Sequence, residues 1–225
     1  MSEVTIISQP EGKAKRKPAQ RIERASIVTS RLVSIIFTPF YLPTVGLMAL
    51  FLFSYLNLLP WLFKIEVLLL VYLFTVVMPI LIIRLYRHFQ GWSLIELGRR
   101  ERRAIPYIIS IGCYFLCTYL MNALHIPHFM SSIVVAALFI QMICAIINSW
   151  WKISTHTAAI GGVAGGLFAF GEIFAFNPVG WLCLVLIIAG LLGTSRMILR
   201  QHTLSQVLSG FGVGLVTAAL TILLM

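Results

Sequence analysis

The chain contains no aspartate, and its seven acidic residues are glutamates scattered over 225 positions. Sites for Mg²⁺ are built from clustered carboxylates, so a site of that kind is not expected. Charged residues make up only 11% of the chain, against 60% hydrophobic residues. A soluble domain carries about 25% charged residues, so this composition indicates an integral membrane protein.

Long stretches carry no charge at all, the longest from Ala104 to Trp151. A spanning helix needs roughly 20 apolar residues, because its backbone must satisfy its own hydrogen bonds in lipid. The longest stretch exceeds one helix and is interrupted around Pro127, which predicts two helices joined by a turn. The sequence thus predicts an all-α, polytopic membrane bundle of about six to seven transmembrane helices. Its segments are about 32–58, 62–85, 104–122, 129–150, 157–175, 178–195 and 205–224.

The N-terminal part of the chain is less regular. Pro39 and Pro43 can kink the first segment or leave its start lying along the membrane interface. Residues 1–30 are polar and basic, which is typical of a disordered cytoplasmic tail attracted to anionic headgroups. This interpretation is favoured over a nucleic-acid-binding arm, so no nucleic-acid partner is expected. A transmembrane domain over 31–225 follows the tail.

Basic residues are distributed unevenly between the two predicted faces. With seven passes, all but one of the seventeen Lys and Arg residues share the face of the N-terminus, and Lys64 alone lies on the other. The positive-inside rule makes the basic face cytoplasmic. We expect an integral protein of a bacterial inner (cell) membrane, with a cytoplasmic N-terminus and a C-terminus outside.

Two polar segments on the basic face carry candidate chemistry. In the second, Ser195-Arg196 is followed at set spacings by His202 and Gln206. His202 and Gln206 are four apart, so on a helix Gln206 can accept the proton of one ring nitrogen of His202. The other ring nitrogen is then unprotonated, as a nucleophile requires. Arg196 offers a planar fork suited to phosphate.

The first polar segment, Ser154-Thr155-His156, opens the predicted helix over 157–175. Ser154 and the first amides of this helix form an N-terminus that favours an anion. His156 is placed to protonate a leaving alkoxide and then to activate water against a phosphohistidine. This scheme needs neither a metal nor another cofactor.

These motifs resemble those of the type 2 phosphatidic acid phosphatase family, which is similar to the vanadium haloperoxidases. The third family signature is Ser-Arg, five residues, His, three residues, Asp, and the segment Ser195–Gln206 matches it except at the last position. The segment Lys152–His156 resembles the second signature, Pro-Ser-Gly-His, in its Ser and His. The resemblance covers about 84–225 as the family core. It implies phosphate contacts from the following residues: Arg196, Ser195, Ser154, Lys152, and, in place of the first signature, Arg99 and Arg103.

Gln206 departs from the family pattern, because glutamine accepts the hydrogen bond but brings no negative charge. A carboxylate-to-amide change in a comparable triad costs about 10⁴ in rate, largely through loss of the correct tautomer. Glu96 or Glu101 could fold back to replace the carboxylate. The site is therefore expected to be slow, to use a different carboxylate, or to be limited to binding.

Other residues receive structural interpretations. Close helix packing explains Gly161, Gly162, Gly165 and Gly166 better than a phosphate loop does. The four cysteines are expected to be reduced packing residues.

The sequence as a whole predicts a metal-independent membrane lipid phosphatase that acts through a phosphohistidine intermediate. Its substrate would be a lipid phosphomonoester or pyrophosphate whose tails stay in the bilayer. The alternative is a catalytically inactive lipid-phosphate-binding or transport protein on the same fold.

Overall fold

The computed structural model describes residues 18–53, 55–91 and 104–225, and the regular elements in these ranges are all helices. They are α1 (Pro18–Ile36), α2 (Leu42–Phe53), α3 (Trp61–Gln90), α4 (Ala104–Ala123), α5 (His128–Asn148), α6 (Thr155–Ile173), α7 (Val179–Ile198) and α8 (Leu204–Leu224). A 3-10 turn, Tyr55–Leu58, follows α2. The predicted all-α class is confirmed for these ranges.

Five of the described helices are long and apolar enough to cross a membrane: α3, α4, α5, α7 and α8. They correspond to the predicted segments 62–85, 104–122, 129–150, 178–195 and 205–224. The helix α6 covers the predicted segment 157–175 but is not among the five, since its glycines and polar first turn lower its hydropathy. The chain therefore has the helices of an integral membrane protein.

The predicted segment 32–58 is divided by a turn and is not a single helix. The helix α1 ends at Ile36, and α2 begins at Leu42. Pro39 lies between them, where it lacks an N–H and disfavours helical backbone at the residue before it. At 12 residues, α2 is about 18 Å long, well short of a hydrocarbon core of roughly 30 Å.

The prediction of a disordered tail is wrong for residues 18–30, which form the first part of α1. Pro18 occupies the first position of this helix, where its missing N–H leaves no hydrogen bond unmade. Ser30 and Ser34 are buried, whereas Arg31 is exposed. One side of α1 packs against α7, and this burial holds the helix in place. Residues 1–17 lie outside the described part of the chain.

The central helix is α6, which contacts α2, α5, α7 and α8. It meets α8 backbone to backbone. A Cβ at Gly161 would overlap the carbonyl of Phe211, and one at Gly214 would overlap the carbonyl of Ala158. Since only glycine permits this approach, the close-packing interpretation of the glycines is confirmed for this interface.

Candidate active site

The two polar segments lie side by side at one end of the bundle. Lys152 Nζ donates a hydrogen bond to the carbonyl of Gln201 at 2.5 Å. The backbone N–H of Ser154 donates to the carbonyl of Gln206 at 3.4 Å. The close contact between α6 and α8 begins here, since a Cβ at Gly210 would lie 2.6 Å from the Ser154 carbonyl oxygen. The packing thereby brings the segment 154–156 next to the segment 202–206.

His202 and Gln206 are in direct contact, and the contact fixes the histidine tautomer. The Nδ1 atom of His202 lies 3.2 Å from Oε1 of Gln206. The backbone N–H of Thr203 also points at this Oε1, at 3.2 Å. A backbone N–H can only donate, so the Gln206 atom must be the carbonyl oxygen and Nδ1 must carry the proton. The lone pair of a neutral His202 ring therefore falls on Nε2.

The contact arises differently from the one predicted. His202 does not lie on α8, because the helix starts at Leu204 with Thr203 as its N-cap. Thr203 and Gln206 form a capping box, in which Thr203 Oγ1 accepts from the Gln206 N–H at 3.4 Å. The glutamine thus reaches back toward the helix start and meets the ring of His202 there. Gln206 has a structural role in addition to holding His202.

His156 lies in the first turn of α6, close enough to Arg196 and His202 for both to influence its protonation. Ser154 is the N-cap of this helix and accepts a hydrogen bond from the Thr157 N–H at 3.4 Å. Burial is the main cause that lowers the pKa of His156 to about 3; electrostatic repulsion from Arg196 and His202 contributes to the shift, and a hydrogen bond to the backbone of Ser34 opposes it. The His156 ring is therefore neutral at pH 7. Its Nδ1 atom is buried and has no hydrogen-bond partner within the described ranges.

Arg196 lies near the end of α7 and points its guanidinium toward α1. Its Nη1 atom donates to Oγ of Ser34 at 2.6 Å. Its Nε atom is buried and lacks a hydrogen-bond partner in the part of the chain that the structure describes. A buried donor without a partner is costly, and an anionic oxygen at this position would remove that cost.

Ser34 is the residue of this site that the sequence interpretation missed. Its hydroxyl accepts from Arg196 and its carbonyl faces His156, and its side chain is only 7% exposed. The signal available in the sequence is a repeat of serines at intervals of four, at Ser26, Ser30 and Ser34. On a helix this spacing places hydroxyls along one face. Assigning residues 1–30 to a disordered tail hid this pattern.

Ser195, Lys152 and Ser154, the other predicted phosphate ligands in the described ranges, all form hydrogen bonds within the protein. The Ser195 hydroxyl donates to the Leu191 carbonyl at 2.8 Å, within its own helix. Lys152 joins the two loops, and Ser154 caps α6. The predictions for Arg99 and Arg103, and the alternative carboxylates Glu96 and Glu101, concern residues outside the described ranges.

The arrangement combines a histidine with a defined lone pair, a second, neutral histidine, an arginine fork and a helix N-terminus. This set can bind a phosphate and transfer it to nitrogen. Among the described residues, no three His, Cys, Asp or Glu side chains come together as a metal site. Comparison of the chain with models of protein families, with curated proteins and with solved structures finds no match in any of the three.

Proposed function

We propose that this protein is a membrane lipid phosphatase resembling the type 2 phosphatidic acid phosphatases. It hydrolyses a phosphomonoester or pyrophosphate of a lipid through a phosphohistidine. The observation that supports the proposal is that Gln206 holds His202 with its lone pair on Nε2, at the end of the bundle where Arg196 and His202 both influence the protonation of His156.

In the first step, Nε2 of His202 attacks phosphorus, and the bond from phosphorus to the lipid oxygen breaks. His156 gives a proton to the departing alkoxide or phosphate. The Gln206 carbonyl keeps the proton on Nδ1 of His202 until attack and then accepts the hydrogen bond of the charged ring. In the second step, water attacks the phosphorus of the phosphohistidine and gives a proton to His156. The bond from phosphorus to Nε2 of His202 breaks, so inorganic phosphate leaves and both histidines return to their states before the first step.

The protonation of His156 must accompany substrate binding, because its ring is neutral beforehand. A bound phosphate places negative charge beside the ring and raises its pKa. The proton can arrive with a phosphomonoester monoanion. Binding of an oxyanion in this site is therefore coupled to proton uptake, which makes the affinity fall as the pH rises.

Phosphate binding also requires a change of partner for Arg196. Its Nη1 atom donates to the Ser34 hydroxyl, and a phosphate oxygen would take the place of that hydroxyl. The exchange favours phosphate, since a charged acceptor makes a stronger hydrogen bond than a hydroxyl does. In the proposed site, the Ser34 hydroxyl thus occupies the position of one phosphate oxygen until the substrate binds.

The concentration of Lys and Arg residues on one predicted face supports a cytoplasmic N-terminus. It also supports an active site on the cytoplasmic side of a bacterial inner membrane. The loops at Lys152 and Arg200 lie at the same end as the site. The lipid is then bound from the inner leaflet.

The second candidate function is an inactive lipid-phosphate-binding or transport protein. The uncharged Gln206, with its structural role in the capping box, favours it. Release of inorganic phosphate by purified protein, over a panel of lipid phosphates and with vanadate as inhibitor, separates the two. Vanadate-sensitive release supports the phosphatase. Binding of a non-hydrolysable lipid phosphonate with no release from any substrate supports the binder.

A further inference from the structure

An open groove runs along α3, and it is separate from the candidate active site. Its volume is about 570 Å³, and its lining residues on α3 lie between Tyr72 and His88. Tyr41, from the turn between α1 and α2, completes the lining. The candidate active site is built from α1, α6, α7 and α8, whereas α3 packs mainly against α2 and α4. None of the site residues lines the groove.

The lining of the groove changes from apolar to basic along α3. The sequence carries no charged residue from Val67 to Ile83, a length of about 26 Å at 1.5 Å per residue. This length nearly spans a hydrocarbon core of roughly 30 Å, so Arg84 lies where the core ends. Arg84 and His88, both exposed and one helical turn apart, line this end of the groove. The groove therefore has its basic end at the lipid headgroups and its apolar part in the hydrocarbon.

The charge at the basic end suits a phosphate. The guanidinium of Arg84 can bind phosphate oxygens with two parallel hydrogen bonds, and a ring N–H of His88 can donate a further one. The sequence has no acidic residue between Glu66 and Glu96, so α3 itself carries no carboxylate near this end. Basic pockets between membrane helices on the cytoplasmic side are typical binding sites for anionic headgroups.

A π-helical turn, Leu73–Val77, brings the two ends of the groove toward one face of α3. Pro79 favours this turn, because it lacks the N–H that would donate to the carbonyl of Thr75 in a regular α-helix. From Tyr72 to His88, an uninterrupted α-helix would end about 160° away from the direction in which it began. The extra residue of a π-turn takes back about 100° of this rotation. The apolar and the basic residues therefore line one continuous groove.

The depth of the groove matches one leaflet of a bilayer. Tyr72 lies about 18 Å along α3 from Arg84, at 1.5 Å per residue. Half of a hydrocarbon core is about 15 Å thick. A lipid with its phosphate at Arg84 would thus extend its acyl chains to the deep end of the groove, near the bilayer midplane.

We propose that this groove binds an anionic glycerophospholipid of the surrounding leaflet. Its phosphate lies at Arg84 and His88, and its acyl chains lie against the partly exposed side chains of Val77 and Leu81. This lipid is a bound component of the folded protein and is not the molecule that the candidate active site acts on. The proposal does not depend on the proposed function.

The test compares the binding of two lipids with identical acyl chains to the full-length protein in detergent. Phosphatidylglycerol carries a net negative charge, and phosphatidylcholine carries none. Native mass spectrometry over a lipid titration gives the affinity for the first bound molecule. We expect the wild type to bind phosphatidylglycerol at least about fivefold more tightly, since one arginine at a membrane surface contributes roughly this factor. Equal binding of the two lipids would overturn the proposal.

Arg84→Gln tests the basic end of the groove. It should lower the affinity for phosphatidylglycerol about fivefold and change the affinity for phosphatidylcholine by less than about twofold. The matched control is Arg31→Gln, which removes the same charge from an exposed position of α1 outside the groove. This control should keep the preference of the wild type. A preference that persists in Arg84→Gln, or that both variants lose equally, would show that the lipid does not bind in the groove.

Val77→Trp tests the apolar part of the groove. Its larger side chain fills the space for the acyl chains, so both lipids should bind at least about fivefold more weakly while the ratio of their affinities is kept. If this variant does not fold, Leu81→Trp makes the same test one turn along the helix. Unchanged binding of both lipids in a folded variant would contradict the proposal. A dimer of the wild type that Val77→Trp dissociates would instead assign the groove to a second copy of the chain.

These measurements are independent of turnover. The phosphate of phosphatidylglycerol is a diester, so this lipid is not a substrate of the proposed phosphatase. If the protein hydrolyses no lipid phosphate, the expected preference still supports the groove as a lipid site. If the protein is an active phosphatase without this preference, the lipid site alone is wrong.

Discussion

Two faces of α6 differ in how closely they are packed against their neighbours. On one side, glycines bring the backbone of α6 against that of α8, with no space for a further carbon atom at Gly161 or Gly214. Beside this contact, α6 borders an apolar cavity that is lined by residues of α2, α5 and α7 and by Ala218 and Ile222 of α8. The tight side fixes the backbone of His156 relative to that of His202, as the proposed phosphatase chemistry requires.

Breaking the tight side should have the largest effect. In Gly214→Val the new side chain would collide with the Ala158 carbonyl, which lies in the backbone of α6 and cannot move aside. We expect destabilisation of more than about 3 kcal/mol and loss of the folded protein or of its activity. Gly166→Ala, on the cavity side, should change stability by less than about 1 kcal/mol. Thermal unfolding in detergent compares the two, and equal destabilisation would remove the distinction between the sides.

The helices and the contact between His202 and Gln206 could be predicted from the sequence, because both depend on residues that are close together in the chain. Hydropathy located the five long helices, and the spacing of His202 and Gln206 predicted their contact, although a capping box produces it instead of a shared helix face. The contact between Ser34 and Arg196 spans 162 residues and is set by how α1 packs on α7. No local pattern specifies such a pairing. The cavity likewise depends on where the turn at Pro39 places α2.

A negative charge introduced at position 206 tests whether a carboxylate beside His202 would speed the proposed reaction. Glutamate fits the third position of a capping box as glutamine does, so Gln206→Glu keeps the helix cap and adds a negative charge beside His202. We expect turnover to rise about tenfold, because the carboxylate stabilises the charged ring. Gln206→Asp adds the same charge on a shorter side chain and tests the family's own residue.

A lower rate in Gln206→Glu would mean that another carboxylate already serves His202. Glu101→Gln and Glu96→Gln, measured in the same assay, identify that residue. In that case the responsible variant should lose nearly as much activity as a variant without His202.

The buried His156 predicts a pH dependence of stability. Its pKa is lowered to about 3 in the folded protein, below the value of about 6.5 for an unfolded chain. Above pH 6.5 the ring is neutral in both states. As the pH falls below 6.5, the unfolded state takes up the proton first, so stability falls by up to about 1.4 kcal/mol per pH unit. Thermal unfolding between pH 7.5 and 5 should show a smaller decline in His156→Gln, and an unchanged decline would contradict the assignment.

Release of Arg196 from α1 should have the smallest effect. Ser34→Ala removes the hydroxyl that accepts from Arg196, so a phosphate no longer has to displace it. We expect vanadate to bind about threefold more tightly, in line with the loss of one ordinary hydrogen bond. Thr29→Ala, at an exposed position of the same helix, is the matched control. Weaker vanadate binding in Ser34→Ala would show that Ser34 positions Arg196 for phosphate instead of competing with it.

The central claim is that His202 is the nucleophile, and trapping the covalent intermediate tests it most directly. The purified protein is mixed with a lipid phosphate labelled at phosphorus, quenched in alkali and analysed for the labelled residue. The account predicts phosphohistidine at His202. It also predicts that His202→Ala loses both the label and about 10⁴-fold or more of the turnover, while His128→Ala, an exposed histidine at the other end of the bundle, keeps both. Phosphate release that continues in His202→Ala, or a label on another residue, would contradict it.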